Sequence, residues 1–192
     1  MAKRLLKFIL HGMSLLFALP AAALCAFGRV KVVYEFFAQS YAMLPGLLGD
    51  YLRIAFYKLT LDECSLESRI SFGSFLAHSD ARLGSGVYIG SYCILGMVSV
   101  GDRTQIASGV QILSGRHQHA RDQSGRVTGA EQGEFTPVAI GSDCWIGAAA
   151  IVMADVGNGS TIGAGSVVSR PIPAHSVAVG SPARVIKTAQ DQ

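Results

Sequence analysis

Val138-Ala139-Ile140-Gly141-Ser142-Asp143-Cys144-Trp145-Ile146-Gly147 repeats one six-residue unit, and the unit returns at Ile162-Gly163-Ala164-Gly165-Ser166-Val167-Val168. Upstream it runs through Leu83-Gly84, Ile89-Gly90, Leu95-Gly96, Val100-Gly101, Ile106-Ala107 and Ile112-Leu113. An aliphatic residue opens each unit and Gly usually follows. A small or compact residue sits four places on: Val87, Cys93, Thr104, Val110, Cys144, Ala150, Ser166. A fixed short period is the signature of a solenoid. Six residues cover one short strand and a corner. The aliphatic and compact positions point inward and stack on the next coil, while the Gly lets the backbone turn where a Cβ would clash. A β-sandwich would instead alternate with period two and turn every 8–12 residues or about that.

The repeat is imperfect. Ile89 to Val100 is one residue short of two units, and Ile146 to Ile162 is two short of three. These shortfalls are expected at corners around Met97–Ser99 and Val156–Ser160. The large break runs from Arg116 to Thr136, a polar, Gly-bearing, non-periodic stretch that begins His117-Gln118-His119. A long excursion inside a compact domain marks function or disorder, and the His-x-His favours function.

Composition agrees with one solenoid domain and an arm. Of 192 residues half are hydrophobic and only 8% aromatic, as stacked Ile and Val columns require. Cys93 and Cys144 fall on the compact inward position, so they read as small core residues. With Cys25 and Cys64 they fit no zinc spacing, and a reduced, cytoplasmic protein follows. Residues 1–61 carry seven basic and two acidic side chains, net +5; the remainder carries nine and eleven, net −2. The basic residues are interleaved with apolar runs, which is no nucleic-acid signature.

The Ile-Gly-Ser-Asp-Cys-Trp-Ile-Gly run from Ile140, the Gly-Ala-Gly-Ser-Val-Val at 163–168, Ile172-Pro173 and Gly180-Ser181-Pro182-Ala183-Arg184-Val185-Ile186-Lys187 occur in that order. Over residues 70–188 the chain resembles the hexapeptide-repeat acyltransferases, the galactoside and maltose O-acetyltransferases among them. The resemblance implies a mainly β protein: a left-handed parallel β-helix and a homotrimer. Left-handedness departs from the usual crossover rule and rests on the resemblance alone. The organisation expected is a helical hydrophobic arm at 1–61, the β-helix domain at 62–188 with its excursion at 116–136, and a tail at 189–192.

The resemblance also supplies site residues. The segment from Val100 to His117 matches the family's stretch ending in its catalytic histidine. An imidazole suits deprotonation of an acceptor hydroxyl for acyl transfer from a thioester. His119 is the second candidate base or an acceptor contact, beside Arg116. Glu134, shortly before Pro137-Val138, corresponds to a family Glu that would orient the base or bind the acceptor, with Glu131 as its competitor. The donor, acetyl-CoA as a substrate, is expected in the groove between subunits. Trp145 would form its wall, Ala148 and Ala164 would hold the pantetheine, and Ser169, Arg170, Arg184 and Lys187 would serve the phosphate and adenine end. The related γ-carbonic anhydrases bind zinc through three histidines, but His78, His117, His119 and His175 do not share that spacing, so no metal is expected.

The arm departs from the soluble sugar acetyltransferases. Phe8 to Phe27 holds no Asp, Glu, Lys or Arg and is long enough to span a bilayer. Lys3, Arg4 and Lys7 precede it, as in a secretory signal peptide, but export would part the enzyme from cytoplasmic acyl-CoA. Leu24 also spoils a lipoprotein box at Cys25. Arg29 and Lys31 flank its far end, against the one-sided charge of a spanning helix, and Pro20 is expected to break it into two short pieces. A re-entrant or surface-lying hairpin on the cytoplasmic side of the inner membrane fits both facts. Tyr51 to Leu59 reads as a short amphipathic helix, serving either as cap to the first coil or as membrane contact.

The function expected is an acyl-CoA-dependent O-acyltransferase, acetyl being the group moved, acting on a sugar of a surface polysaccharide, lipopolysaccharide or lipid-linked precursor. The alternatives are an N-acetyltransferase of an amino sugar or nucleotide sugar, and a non-catalytic trimeric scaffold.

Overall fold

The computed structural model describes residues 2–115, 119–129 and 135–188. Three helices come first: α1 (Ala2–Leu24), α2 (Lys31–Ala42) and α3 (Gly46–Thr60). Short strands follow: β1 (Glu63–Cys64), β2 (Arg69–Ile70), β3 (Phe75–Leu76), β4 (Arg82–Leu83), β5 (Tyr88–Ile89), β6 (Ile94–Leu95), β7 (Val98–Val100), β8 (Gln105–Ile106) and β9 (Gln111–Ile112). Beyond the excursion lie β10 (Val138–Ile140), β11 (Trp145–Ile146), β12 (Ile151–Val152), β13 (Thr161–Ile162), β14 (Val167–Val168), β15 (Val177–Val179) and β16 (Arg184–Lys187).

Every third strand pairs in parallel, which winds the chain into a β-helix of about six coils with three faces. The first face is β1-β4-β7-β10, continued by single bridges from Ile140 to Val156 and on to Ile172. The second is β2-β5-β8-β11-β13-β15, closed by antiparallel β16, and the third is β3-β6-β9-β12-β14. Inside, Ile70, Ile89, Ile106, Ile146 and Ile162 form one fully buried column on the second face. Each coil alone could not bury these side chains; stacking removes them from water at about 25 cal/mol per Å².

The compact inward positions include Ser and Thr, and their hydroxyls are satisfied. Thr104 Oγ1 donates to the Gly141 carbonyl at 2.7 Å and accepts from the Cys144 N–H at 3.1 Å; Ser160 and Ser74 repeat this between other coils. All four cysteines are buried and free, and burial pushes the Cys64 thiol up to about 12. The Gly after the aliphatic residue has a different cause from the one expected. Gly90 and Gly147 are not in the left-handed region; a Cβ there would stand 2.6 Å from the Ser108 nitrogen and 2.5 Å from the Ala164 nitrogen of the next coil. Close coil stacking, not the turn itself, demands glycine.

The irregularities collect at one place. Six residues separate the inward positions across the first corner (Ile140 to Ile146) and across the second (Ile146 to Val152). At the third corner, between third and first faces, the spacing varies: seven from Leu76 to Leu83, five from Leu95 to Val100, four from Val152 to Val156. The first shortfall is thus taken up at Gly96–Met97. The second lies at Met153–Asp155, not at Val156–Ser160, because Val156 must stay in register with Ile140. The 116–136 excursion leaves from this same corner.

A first coil at residues 63–76 precedes the recognisable repeat, with Cys64, Ile70 and Leu76 turned inward. It has no earlier coil to pair with, and α2 and α3 cap it. Tyr34 Oη donates to the Leu76 carbonyl at 3.0 Å, and the Leu76 N–H donates to Tyr57 Oη at 3.0 Å. Arg53, fully buried, donates to the carbonyls of Ile70, Tyr41 and Leu44 at 2.9, 2.9 and 2.6 Å and to Asp50 at 2.6 Å. Capping is therefore what α3 does for the solenoid.

Helix α1 runs unbroken through Pro20. A proline removes one backbone hydrogen bond and crowds the preceding turn, but Ala18, Ala21 and Ala22 are packed into the protein on either side of it and hold the helix in place. The expected break is thus corrected to one continuous helix, followed by a tight turn at residues 25–30. Its segment Arg4–Leu24 is long and apolar enough to cross a membrane by length and composition. One stripe, Ser14, Ala18, Ala21 and Cys25, is buried, while Phe8, Leu16 and Phe17 face outward, Phe8 at 77% exposure.

Candidate active site at the third corner

The excursion begins and ends at one point. The Thr136 N–H donates to the Ser114 carbonyl at 3.1 Å, and the Val138 N–H to Met97 at 2.9 Å. Gly115 leaves the coil in the left-handed region (φ +84°) with Thr136 Cβ 3.1 Å from where a Cβ would be, so a glycine is needed to open the excursion. Arg116, His117 and Glu134, with Glu131, lie outside the described residues.

The middle of the excursion is a small hairpin. Arg121 bridges Val127 in antiparallel fashion, and the Asp122 carboxylate accepts from Ser124 N–H and Oγ and from Arg126 N–H at 2.7–3.0 Å. The Ser124 hydroxyl first, then the Arg126 amide, hold the Asp122 carboxyl below its ordinary value. Asp-Gln-Ser-Gly between Arg121 and Arg126 is a turn signal inside the stretch read as polar and non-periodic. His119 is exposed at the base of this hairpin, its Nδ1 3.2 Å from the Thr128 carbonyl oxygen. A carbonyl can only accept, so in the neutral ring Nδ1 carries the proton and Nε2 keeps the lone pair a base needs.

The returning limb brings in a residue that sequence reasoning considered only as a metal ligand. Phe135 lies against His78, at the third corner of the first coil, with ring centroids 6.1 Å apart. Burial first, then Lys31, lower the His78 pKa, while Asp80 and Glu35 oppose them. No local pattern links His78 to Phe135, which are far apart in the chain. Among the described residues no cluster of three or more His, Cys, Asp or Glu could hold a metal.

The expected donor residues divide into groups. Ala148 and Ala164 stack at the second corner, both exposed, tied by Gly165 N–H to the Ala148 carbonyl at 2.8 Å. Trp145 is 59% exposed on the adjoining second face. Arg184 and Lys187 stand on β16 at the end of that face, with Arg184 paired to Val179 and Lys187 to Val177. Ser169 and Arg170 lie past β14, toward the third corner, one face away from the others.

Stacked parallel coils with a hexapeptide column define the class: a β-helix of the hexapeptide-repeat type. The family model described as the hexapeptide repeat of succinyl-transferase matches residues 137–170. Serine acetyltransferase 2 of Arabidopsis thaliana is 34% identical over 134 residues, 67% of this chain and 37% of that protein. A maltose O-acetyltransferase from Clostridium difficile 630 superposes with a TM-score of 0.68 at 25% identity, over 83% of this chain and 88% of that one. The polySia-specific acetyltransferase NeuO gives 0.53 at 26% identity, over 64% and 58%. The chain thus carries the hexapeptide repeat and is similar in sequence and fold to hexapeptide-repeat acetyltransferases. It spans about half the length of the curated relatives it matches, 45%, 37% and 55% of the first three.

Proposed function

We propose that this chain is a membrane-associated, acyl-CoA-dependent O-acyltransferase that moves an acetyl group onto a sugar hydroxyl of a surface polysaccharide, lipopolysaccharide or lipid-linked precursor. The observation that carries it is an excursion, opened in the sequence by His-x-His, that leaves and rejoins the solenoid at one corner and whose Phe135 lies against His78 of the first coil, on the end that bears the apolar helices. The maltose O-acetyltransferase and NeuO, both similar to this chain, act in name on a sugar and on a polymeric glycan, which supports a carbohydrate acceptor.

In the mechanism His117 takes the proton of the acceptor hydroxyl as its oxygen attacks the thioester carbonyl. The tetrahedral centre collapses, the carbon–sulfur bond breaks, and the imidazolium returns the proton to the leaving thiolate. An ester and free coenzyme A result. Glu134 orients the base; His119, with its lone pair on Nε2, and Arg116 hold the acceptor. The donor lies along Trp145, Ala148 and Ala164, with Arg184, Lys187, Ser169 and Arg170 for its phosphates, in the groove of a homotrimer.

The arm carries the location. Phe8, Val32 and Leu48 are 77%, 80% and 70% exposed, and Arg4, Lys7, Arg29 and Lys31 flank them. An apolar face with cations beside it suits the anionic cytoplasmic leaflet. Two measurements test the function. Mass spectrometry of surface glycans with and without the protein should show one acyl group lost. The purified protein should hydrolyse acetyl-CoA slowly, and His117→Ala should slow it by roughly 10²–10⁴-fold, more than His119→Ala; equal or reversed severity overturns the assignment of the base.

A further inference from the structure

The first corner of the first coil faces α1 and α3 across a cleft that the acyl-transfer chemistry does not use. Its inner part, about 280 Å³, is lined by Lys7, His11, Tyr51, Ile54, Glu67 and Arg69 among others. It shares Lys7, His11, Leu66 and Glu67 with a groove of about 670 Å³ along α1, walled by Arg4, Phe8, Gly12 and Leu15.

The anomaly in this cleft is His11. Both ring nitrogens are shielded from solvent and have no hydrogen-bond partner among the described residues. The ring makes an edge contact with Tyr51, centroids 4.9 Å apart. A desolvated polar group without a partner is destabilising, and such a group calls for an explanation.

The charges around it are arranged to leave cations over. Asp50 is held by buried Arg53 at 2.6 Å and by Arg69 at 2.7 Å, and Glu67 by Lys7 at 3.0 Å. Arg53 lies fully buried behind the cleft, so three cations, Arg4, Lys7 and Arg69, line it against the two carboxylates. One end of the cleft is thus polar and cationic. The other is a trough of Phe8, Leu15 and Leu66 whose floor is opened by Gly12, where an added Cβ would meet nothing within 4 Å. It runs beside the outward apolar face of α1.

We infer that this cleft binds one phosphate-bearing amphiphile, its phosphate diester at His11, Lys7 and Arg69 and its apolar chain along Phe8, Gly12 and Leu15. A neutral imidazole can donate to a phosphate oxygen from one nitrogen, and guanidinium and ammonium groups are the usual phosphate partners. Free phosphate would use the polar end but leave the trough unexplained, so the source is a membrane lipid. This rests on the membrane reading above.

The test uses the full chain, purified in detergent and measured by native mass spectrometry with phosphatidylglycerol, with diacylglycerol of the same chains, and with inorganic phosphate. One phosphatidylglycerol per chain should be retained at least tenfold more than diacylglycerol, with no retention of inorganic phosphate. Gly12→Leu sets a side chain into the open trough, where a Cβ meets nothing within 4 Å, and improves helix propensity, so the fold survives; it should reduce retention tenfold or more. His11→Leu should reduce selectivity over diacylglycerol. Equal retention of the two lipids, retention of inorganic phosphate alone, or an unaffected Gly12→Leu variant overturns the inference. So does a cross-link between position 12 of two copies that excludes lipid. Flotation with phosphatidylglycerol vesicles separates the two readings: Gly12→Leu should still float. Wild-type protein that fails to float defeats the membrane reading itself, and this inference with it.

Discussion

Phe135 rests its ring on His78, centroids 6.1 Å apart and planes at 59°, and so ties the returning limb of the third-corner excursion to the first coil. Phe135 immediately follows the stretch assigned Glu134. Its seat therefore sets where that limb lies over the corner that also receives the connection from α1, through Ser79 Oγ to the Gly28 carbonyl at 2.9 Å.

Phe135→Ala should therefore act on the chemistry more than on the fold. Phe135 is exposed to 38% and removing it opens no closed cavity. If His117 and Glu134 act as base and orienting carboxylate, as proposed, misplacing them by about 1 Å costs up to roughly 10²-fold. The expected outcome is a fall in kcat of about tenfold or more with the melting temperature nearly unchanged. Phe135→Leu should recover most of it. A variant with normal kcat would show that the ring contact does not position the loop.

His78 makes stability depend on pH. Its folded pKa lies below the ordinary 6.5, through burial first and Lys31 second, against Asp80 and Glu35. Between the folded value and 6.5 the unfolded chain binds more protons than the folded one, so stability rises with pH through that window. The His78 contribution is complete above 6.5 and is lost as pH falls through the lowered folded pKa. Melting temperatures at pH 7.5, 6.5 and 5.5 should fall in that order, and His78→Gln should flatten part of the fall. An identical pH slope in the variant would remove His78 from the account.

Arg184 and Lys187 are exposed on the antiparallel strand β16, at the end of the second face. If they serve the donor phosphates, changing both to Ala should raise KM for acetyl-CoA several-fold and leave kcat nearly unchanged, because uniform binding is what is lost. Added salt should shrink the difference by screening. Unchanged KM at low salt would show that the carboxy-terminal strand does not reach the donor.

Much of this fold is legible in the sequence because its core is local and periodic. From Leu83 onward inward residues follow one another every six residues across the first and second corners, and Gly often marks where coils approach. The first coil escapes that pattern: Ser71 and Ala77 stand after Ile70 and Leu76 where later coils carry Gly, and helices rather than a coil lie beneath it. The capping role of the arm is illegible for a different reason. Arg53 in an apolar stretch reads as surface charge, and only the folded chain brings the carbonyls of Ile70, Tyr41 and Leu44 to it. His117 and the donor corner follow from motif, whereas the His78–Phe135 contact joins residues with no shared period. Pro20 misled because packing of Ala18 and Ala22 outweighs one lost hydrogen bond.

The cap offers the sharpest test of stability. Arg53 is fully buried, and its guanidinium meets four carbonyls, of Ile70, Tyr41, Ala42 and Leu44, and one carboxylate at once. Arg53→Met would strand the Ile70 carbonyl at the open edge of the second face and leave Asp50 with Arg69 alone. Removing one partner of a buried ion pair costs about 3–5 kcal/mol. Arg53→Lys should rescue little, since one ammonium cannot span the same fork of acceptors. Urea unfolding of the detergent-purified chain should show the midpoint drop in both variants, with Met at least as severe as Lys. The exposed edge strands β2 and β3 should then drive association through unpaired backbone, visible as aggregate on size exclusion. A midpoint within error of wild type for Arg53→Met would mean that the aromatic packing of Tyr34, Phe56 and Tyr57 caps the first coil without help from the guanidinium.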